Sequence, residues 1–332
     1  MGEYLLVSAL VFILLALATN LLALTARKRA PRQRRPVKKL VAVGAGASQD
    51  DALDEEPPPE ADGSAGADDG EVRVGDESAE LVADAGPAAT PAPGPAKKGW
   101  TANQFATAFT VIGLALVTVY LGMRMVETGH GPFSNQHEFA VSFTWGILVA
   151  YLVALWKFKT RMLSVVVLPV AACLLLYSMS ADSSVEPLVP ALQNNLLLTL
   201  HVGFAILSYG AACVSFAAAV LYLVHDKFKL KISADRLDEI GYKGAVVAFP
   251  LMTIMIVLGS LWAETAWGRY WGWDPKETAA LVTWLLYGAF LHARVSRGWR
   301  GRKSAWLLVI GFAAVLFAYF GNLFFGGLHS YA

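Results

Sequence analysis

Cysteine and charge are both scarce in this chain, and each scarcity removes a class of protein. Only Cys173 and Cys213 are present among 332 residues, and no Cys-x-x-Cys pair occurs. Without paired thiols the chain is no thiol–disulfide exchanger. Charged residues make up 16% of the sequence against 56% hydrophobic, and the mean hydropathy is +0.49. A composition this apolar does not belong to an ordinary soluble domain of such length. Basic residues are also missing from the N-terminal flank of the first apolar run and follow it instead. That order excludes a cleaved secretory signal and leaves the first run as a membrane anchor.

What the sequence does have is a series of apolar runs of about 20 residues, the length needed to cross ~30 Å of hydrocarbon. They fall at roughly 4–24, 104–123, 139–156, 162–178, 199–224, 244–263, 279–295 and 305–325. The expected fold is all-α, a polytopic membrane protein with about eight transmembrane helices. Loops rich in Lys and Arg stay in the cytoplasm. Eight such residues lie in 27–39, three in 157–161, five in 225–243 and five in 294–303, which are every second connection. The other connections hold only Arg124, Arg269 and Lys276. Both termini are therefore expected on the extracytoplasmic side of the plasma membrane, together with loops 124–138 and 179–198 and the connection after the sixth run.

Between the first two runs, the basic stretch ending at Lys39 gives way to about sixty residues dominated by Ala, Gly, Pro, Asp and Glu, fourteen of them acidic. Such a segment buries too little apolar surface to offset its chain entropy, which predicts a disordered cytoplasmic linker. Three parts result: an N-terminal transmembrane anchor at 1–26, a linker at 27–99 and a seven-helix domain at 100–332.

From Trp262 to Thr278 the chain reads W-A-E-T-A-W-G-R-Y-W-G-W-D-P-K-E-T, with four of its ten tryptophans in twelve residues. Tryptophan and tyrosine belts do mark places where helices leave a bilayer. Trp267, Tyr270, Trp271 and Trp273 are packed more tightly than a belt requires, and this implies a flat, largely apolar ligand such as a porphyrin. Gly268 and Gly272 allow close backbone approach, while Arg269 and Lys276 suit pairing with propionate carboxylates. Asp274-Pro275-Lys276-Glu277 has the pattern of a helix start: a capping residue, proline at the first position and a glutamate that reaches back to the cap.

Of six histidines, His201 and His329 fall at the membrane face of the tryptophan loop. Two facing imidazoles there would ligate a six-coordinate haem iron, held without thioether bonds to this chain. His292 lies about 26 Å along the helix that begins at Pro275, near the inner side. It cannot share a haem with the outer pair and is a candidate ligand for a second position. His130, His137 and His225 show no convergent partner.

The stretch W-G-R-Y-W-G-W-D-P-K-E-T, followed by W-L-L-Y-G-A-F-L-H-A-R, closely resembles the tryptophan-rich signature of haem-handling membrane proteins of cytochrome c biogenesis. G-H-G-P-F-S-N near His130, L-V-P-A-L-Q-N-N-L-L-L-T-L-H-V around His201 and G-G-L-H-S-Y at residues 326–331 extend the likeness to the CcsA/ResC type of system II, over roughly residues 100–332. The N-terminal helix with its acidic linker, and His137 where the family usually has tyrosine, depart from that pattern.

The resemblance implies delivery or presentation of haem b at the outer face and, with a CcsB/ResB-type membrane partner, its attachment to the Cys-x-x-Cys-His motif of apocytochrome c. No nucleic acid partner is expected. It implies His201 and His329 as axial ligands of the outer haem, and His292 as a ligand of a haem within the membrane, paired with a histidine of the partner. No side chain here is an obvious nucleophile. The acceptor's thiols would supply the sulfur, and its histidine would displace His201 or His329. A haem exporter without ligation activity and a b-type electron carrier are the alternative functions.

Overall fold

The computed structural model describes residues 2–29, 100–185, 187–193, 195–321 and 324–330. The expected linker lies outside them from residue 30 onward. Among the described residues all regular structure is helical: α1 (Gly2–Arg29), α2 (Ala102–Thr128), α3 (Gln136–Phe158), α4 (Ser164–Ser180), α5 (Asn195–Phe228), α6 (Ala234–Trp267), α7 (Pro275–Arg297) and α8 (Arg302–Phe320), with a 3-10 turn at Pro190–Gln193. Seven helices are long and apolar enough to cross a membrane, and α4, of 17 residues, is apolar but shorter.

Each apolar run of the sequence has become one helix, most of them longer than the run itself, and the start of α6 and the end of α8 are the departures that bear on the site. Helix α6 starts at Ala234, well before the apolar run at 244. Ser233 caps it by accepting the Arg236 N–H, and ion pairs from Glu239 to Arg236 and Lys243 carry the helix through its polar first turns. Helix α8 stops at Phe320 instead of 325, and the 324–330 segment that follows carries His329 in a turn closed by Ser330 N–H on Gly327 O.

Helix α1 is packed into the same compact unit as the residues from Gly99 onward. Its buried positions are Leu6, Ala9, Ile13, Ala16 and Asn20, spaced three and four apart so that they form one stripe, and it packs against α2 and α4. Helices α3 and α5 meet more closely. A Cβ on Gly146 would lie 2.6 Å from the Ile206 carbonyl oxygen, and one on Gly210 would collide with the Gly146 carbonyl. Small residues let helix backbones touch in this way where lipid offers no hydrophobic drive for association. On the other side of α5, Ser215 Oγ donates to Gly241 O of α6 at 2.7 Å, and α8 lies against α5 and α7. The result is a gap at one end of the bundle, bordered by the ends of α3, α5, α6, α7 and α8.

Candidate functional site

The tryptophan loop spans the short distance from the end of α6 to the start of α7. Gly268 ends α6 in the left-handed region (φ 69°), its N–H donating to Glu264 O at 2.8 Å, a conformation glycine adopts without steric cost. Asp274 caps α7 by accepting the Lys276 N–H, and Glu277 Oε2 accepts the N–H groups of Asp274 and Gly272 at 3.1 and 2.8 Å. The capping pattern read from the sequence is present. Glu277 also braces the loop ahead of it.

Behind this loop lies an open pocket with a cavity volume of about 130 Å³. Aromatic and aliphatic side chains of five helices form its walls, and His201, His329, Lys276 and Glu277 bring polar atoms to it. His201 Nδ1 lies 2.8 Å from the Met255 carbonyl oxygen. A carbonyl only accepts, so Nδ1 carries the proton and Nε2 the lone pair. The ring fits there because residue 259 is glycine: a Cβ would stand 2.6 Å from His201 Cε1 and 2.7 Å from Nδ1.

Trp262 borders both imidazoles. Its ring stacks on His201 at 6.2 Å with a 10° interplanar angle, and lies 5.7 Å from the His329 ring. It is almost fully buried, and its indole N–H donates to Ala191 O at 3.0 Å. Trp267 meets His329 edge-on at 4.8 Å. His329 Nδ1 lies 2.7 Å from Asp274 Oδ2, and the other oxygen of that carboxylate accepts the Leu328 N–H. Burial holds the His329 imidazole below its ordinary pKa, against the opposing pull of Asp274. Burial pushes the Asp274 carboxyl up, but the hydrogen bond and charge of His329 and the amides of Leu328 and Lys276 outweigh it and hold the group below the usual carboxylate value. With the carboxylate ionised and able only to accept, the 2.7 Å contact is a hydrogen bond donated by His329 Nδ1. That hydrogen bond fixes the tautomer with its lone pair on Nε2 and raises the basicity of the ring as a ligand.

The residues singled out in the sequence separate into groups. His201, His329, Trp267, Tyr270, Trp271 and Lys276 all line the pocket, with Lys276 Nζ 5.0 Å above the Phe139 ring. Asp274 acts through His329. Gly268 is a helix cap, and the Arg269 guanidinium lies along Gly272 outside the pocket lining. Trp273 turns away, 69% exposed, with its backbone in the left-handed region (φ 55°) and its ring edge-on to Trp271. His292 is exposed near the far end of α7, with Ser296 Oγ 3.4 Å from its Nδ1.

The remaining histidines are engaged elsewhere. His137 is buried between Tyr120 OH and Ser178 O. His225 contacts Asp226 Oδ1 and Ile232 O through its two ring nitrogens. His130 Nδ1 lies 2.8 Å from Gly131 O. Beside His137, Arg124 forms a buried ion pair with Glu138 at 2.8 Å and donates to the carbonyls of Ser183 and Ser184. The sequence gives no sign of Gly259 or Met255 as parts of the site, nor of the contact between Trp262 and His201, because each acts on a histidine more than fifty residues distant in the chain. Glu277 was visible as a cap but not as a wall of the pocket.

Comparison with known proteins gives this geometry a family. Residues 133–329 match the family model described as cytochrome C assembly protein. The chain is 36% identical over 252 residues to "Cytochrome c biogenesis protein CcsA" of Guillardia theta, covering 67% of this chain and 83% of that one. It is 35% identical over 284 residues to the protein of the same name from Gloeothece citriformis, covering 68% and 86%. Among solved structures, "Cytochrome c Heme Lyase CcmF" superposes with a TM-score of 0.59 at 17% identity, over 96% of this chain and 46% of that longer one, a likeness of fold. The family match spans more than half of the residues and takes in both histidines, the tryptophan loop and every helix that borders the pocket, and on that ground the chain belongs to the cytochrome c assembly protein family.

Proposed function

We propose that the pocket presents haem b, as cargo and substrate, between His201 and His329 at the extracytoplasmic face, for covalent attachment to the Cys-x-x-Cys-His motif of apocytochrome c. The chain serves cytochrome c biogenesis and handles haem, as its family membership and its named relatives support. The observation that carries the finer reading is that two imidazoles, each with Nδ1 held by an oxygen acceptor, line one aromatic pocket and both lie beside Trp262. The donor set fits the ligand: nitrogen donors for iron, flat apolar walls for the macrocycle, and the Lys276 ammonium for a propionate.

Bound in this way, haem supplies the vinyl carbons that the acceptor's thiols attack. The protein's own residues contribute position and shelter. His201 is held by Met255 and Gly259, and His329 by Asp274. Trp262, Trp267 and Trp271 exclude water from the pocket, and Glu277 keeps the loop closed over it.

The basic residues clustered in every second connection support an outward orientation of this loop, and the proposed location is the plasma membrane, with residues 27–99 as a cytoplasmic linker. His292, exposed at the far end of α7, suits a second haem position completed by a CcsB/ResB-type partner subunit. The b-type carrier alternative would need a second inner histidine, and both ring nitrogens of His225 already face other groups.

The test is the visible spectrum of the full-length protein purified with its partner subunit, for wild type and for His201→Gly, His329→Gly and His292→Gly. A low-spin bis-imidazole spectrum that is lost in the first two variants and returns with added imidazole is the expected result. Full haem occupancy in both of those variants would falsify the ligand assignment.

A further inference from the structure

Three hydroxyl groups lie on the helical walls of the histidine pocket: Tyr209 on α5, Ser260 on α6 and Tyr319 on α8. They differ in what they already hold. Tyr319 donates to Gln136 O at 3.3 Å, tying the end of α8 to the start of α3. Tyr209 makes no hydrogen bond among the described residues, and its hydroxyl is not sealed into the packing as those of Tyr151 and Tyr287 are. Its ring is fixed all the same, 5.7 Å from Phe143, which meets Tyr319 at the same distance. Tyr209 Oη is thus an uncommitted donor at the pocket wall. Ser260 is uncommitted as well, but it sits beside Gly259, at the level of the His201 ring.

Depth separates Tyr209 from the other polar groups of the site. It lies about two turns further along α5 than His201, about 12 Å toward the middle of that helix. Ala205, between the two, lines the pocket with them, so all three share one face of α5. Lys276 approaches the same region from above. Its Nζ stands 5.0 Å over the Phe139 ring, and Phe139 is one turn from Phe143 on α3. A cation and an open hydroxyl therefore follow one another down the α3 side of the pocket.

We infer that Tyr209 donates its hydroxyl hydrogen to a propionate of the haem, so that the propionate edge is directed into the bundle and the vinyl edge toward the loop. The inference rests on the haem-presentation reading above and adds the orientation of the substrate to it. A porphyrin ligated between His201 and His329 and extending inward along α5 brings one edge to the depth of Tyr209. The vinyl edge does not suit that place, because its carbons must meet thiols that arrive from outside the bundle, and a vinyl group makes no use of a hydroxyl donor. In haem b the two propionates share the half of the ring away from the two vinyls. A carboxylate removed from water has to be matched by donors. Lys276 supplies a charge and Tyr209 a charge-assisted hydrogen bond.

The experiment is resonance Raman spectroscopy of the full-length protein with its partner subunit, loaded with haem b, for wild type, Tyr209→Phe, Tyr319→Phe and Ser260→Ala. The propionate bending band falls in frequency when a propionate loses a hydrogen bond. Tyr209→Phe keeps the ring beside Phe143 and removes only the hydroxyl. It should lower this band, retain the low-spin bis-imidazole spectrum and speed haem loss to a scavenging protein about tenfold. Tyr319→Phe and Ser260→Ala should leave the band at its wild-type position. Haem dimethyl ester, which carries no carboxylate, gives a second reading: wild type and Tyr209→Phe should release it at nearly equal rates. An unshifted band in haem-replete Tyr209→Phe overturns the inference, as does an equal shift in all three variants or an undiminished rate difference with the ester. Wild-type complex that takes up no haem is a distinct result, which defeats the haem-presentation reading and this inference with it.

Discussion

The Asp274 carboxylate performs two structural tasks at once: it caps α7 through the Lys276 N–H at 3.1 Å and holds His329 Nδ1 at 2.7 Å. The start of α7 and the position of His329 are therefore set by one side chain. The two tasks can be separated by substitution. Asparagine caps a helix about as well as aspartate, but it carries no charge for the imidazole. Asp274→Asn should leave the thermal midpoint in detergent close to wild type, weaken haem retention about 10–100-fold as expected when a ligand loses its carboxylate partner, and raise the reduction potential of what remains. Asp274→Ala should do all of this and also lose about 1 kcal/mol of stability with the cap. Titration of haem release against a haem-scavenging protein, together with a redox titration, measures both effects.

Gly259 gives the second prediction. A methyl group at this position meets the His201 ring at 2.6–2.7 Å, so Gly259→Ala should drive the imidazole off its place and abolish the bis-imidazole spectrum. The overpacking cost of about 1–3 kcal/mol is small enough for a folded protein to survive. Gly203→Ala on α5, where a Cβ meets nothing within 4 Å, is the matched control and should keep the full spectrum. Equal spectra for the two variants would remove His201 from the site.

The tryptophans of the loop should not be equivalent. Trp262→Phe removes the indole hydrogen bond to Ala191, worth about 0.5–1.5 kcal/mol, and disturbs the contact with both histidines, so haem occupancy should fall. Trp273→Gly removes an exposed ring and relieves a left-handed backbone, which should raise stability by about 1 kcal/mol with haem occupancy unchanged. Haem content per mole of purified protein, read beside a thermal melt, distinguishes the two cases. Loss of haem in Trp273→Gly would show that the exposed ring also contacts the ligand.

The buried pair of Arg124 and Glu138 is the most sensitive polar contact outside the pocket. Removing one partner strands the other charge, at a cost of about 3–5 kcal/mol. Glu138→Gln or Arg124→Met alone should thus lower the thermal midpoint sharply. The double replacement Arg124→Met with Glu138→Gln should recover part of the loss, since no charge remains buried. Melts of the three variants in one detergent form the cycle that tests it.

Much of this architecture is legible along the chain, for identifiable reasons. A membrane span must satisfy its backbone within itself, so each apolar run declares a helix, and the eight helices fall where the runs fall. The start of α7 is equally plain, because Asp274, Pro275 and Glu277 act locally on one another. The beginning of α6 at Ala234 is not, since it depends on Ser233 and on ion pairs of Glu239 that hydropathy does not register. Nor does hydropathy show which rings of the tryptophan loop face inward. Trp271 lines the pocket and Trp273, two residues on with its backbone in the left-handed region, does not. His201 and His329 are visible as candidates through their residue type and their place beside a helix end. Their supports at Met255, Gly259 and Asp274 exist only once distant segments meet.

The two histidines also differ in mechanical compliance. His201 projects from the body of a 34-residue helix and is wedged between Gly259 and Trp262, so shifting it means shifting α5 or α6. His329 sits beyond α8 on a short turn, fastened to α7 by contacts with Asp274. Displacing His329 would therefore require a short turn to move and not a transmembrane helix.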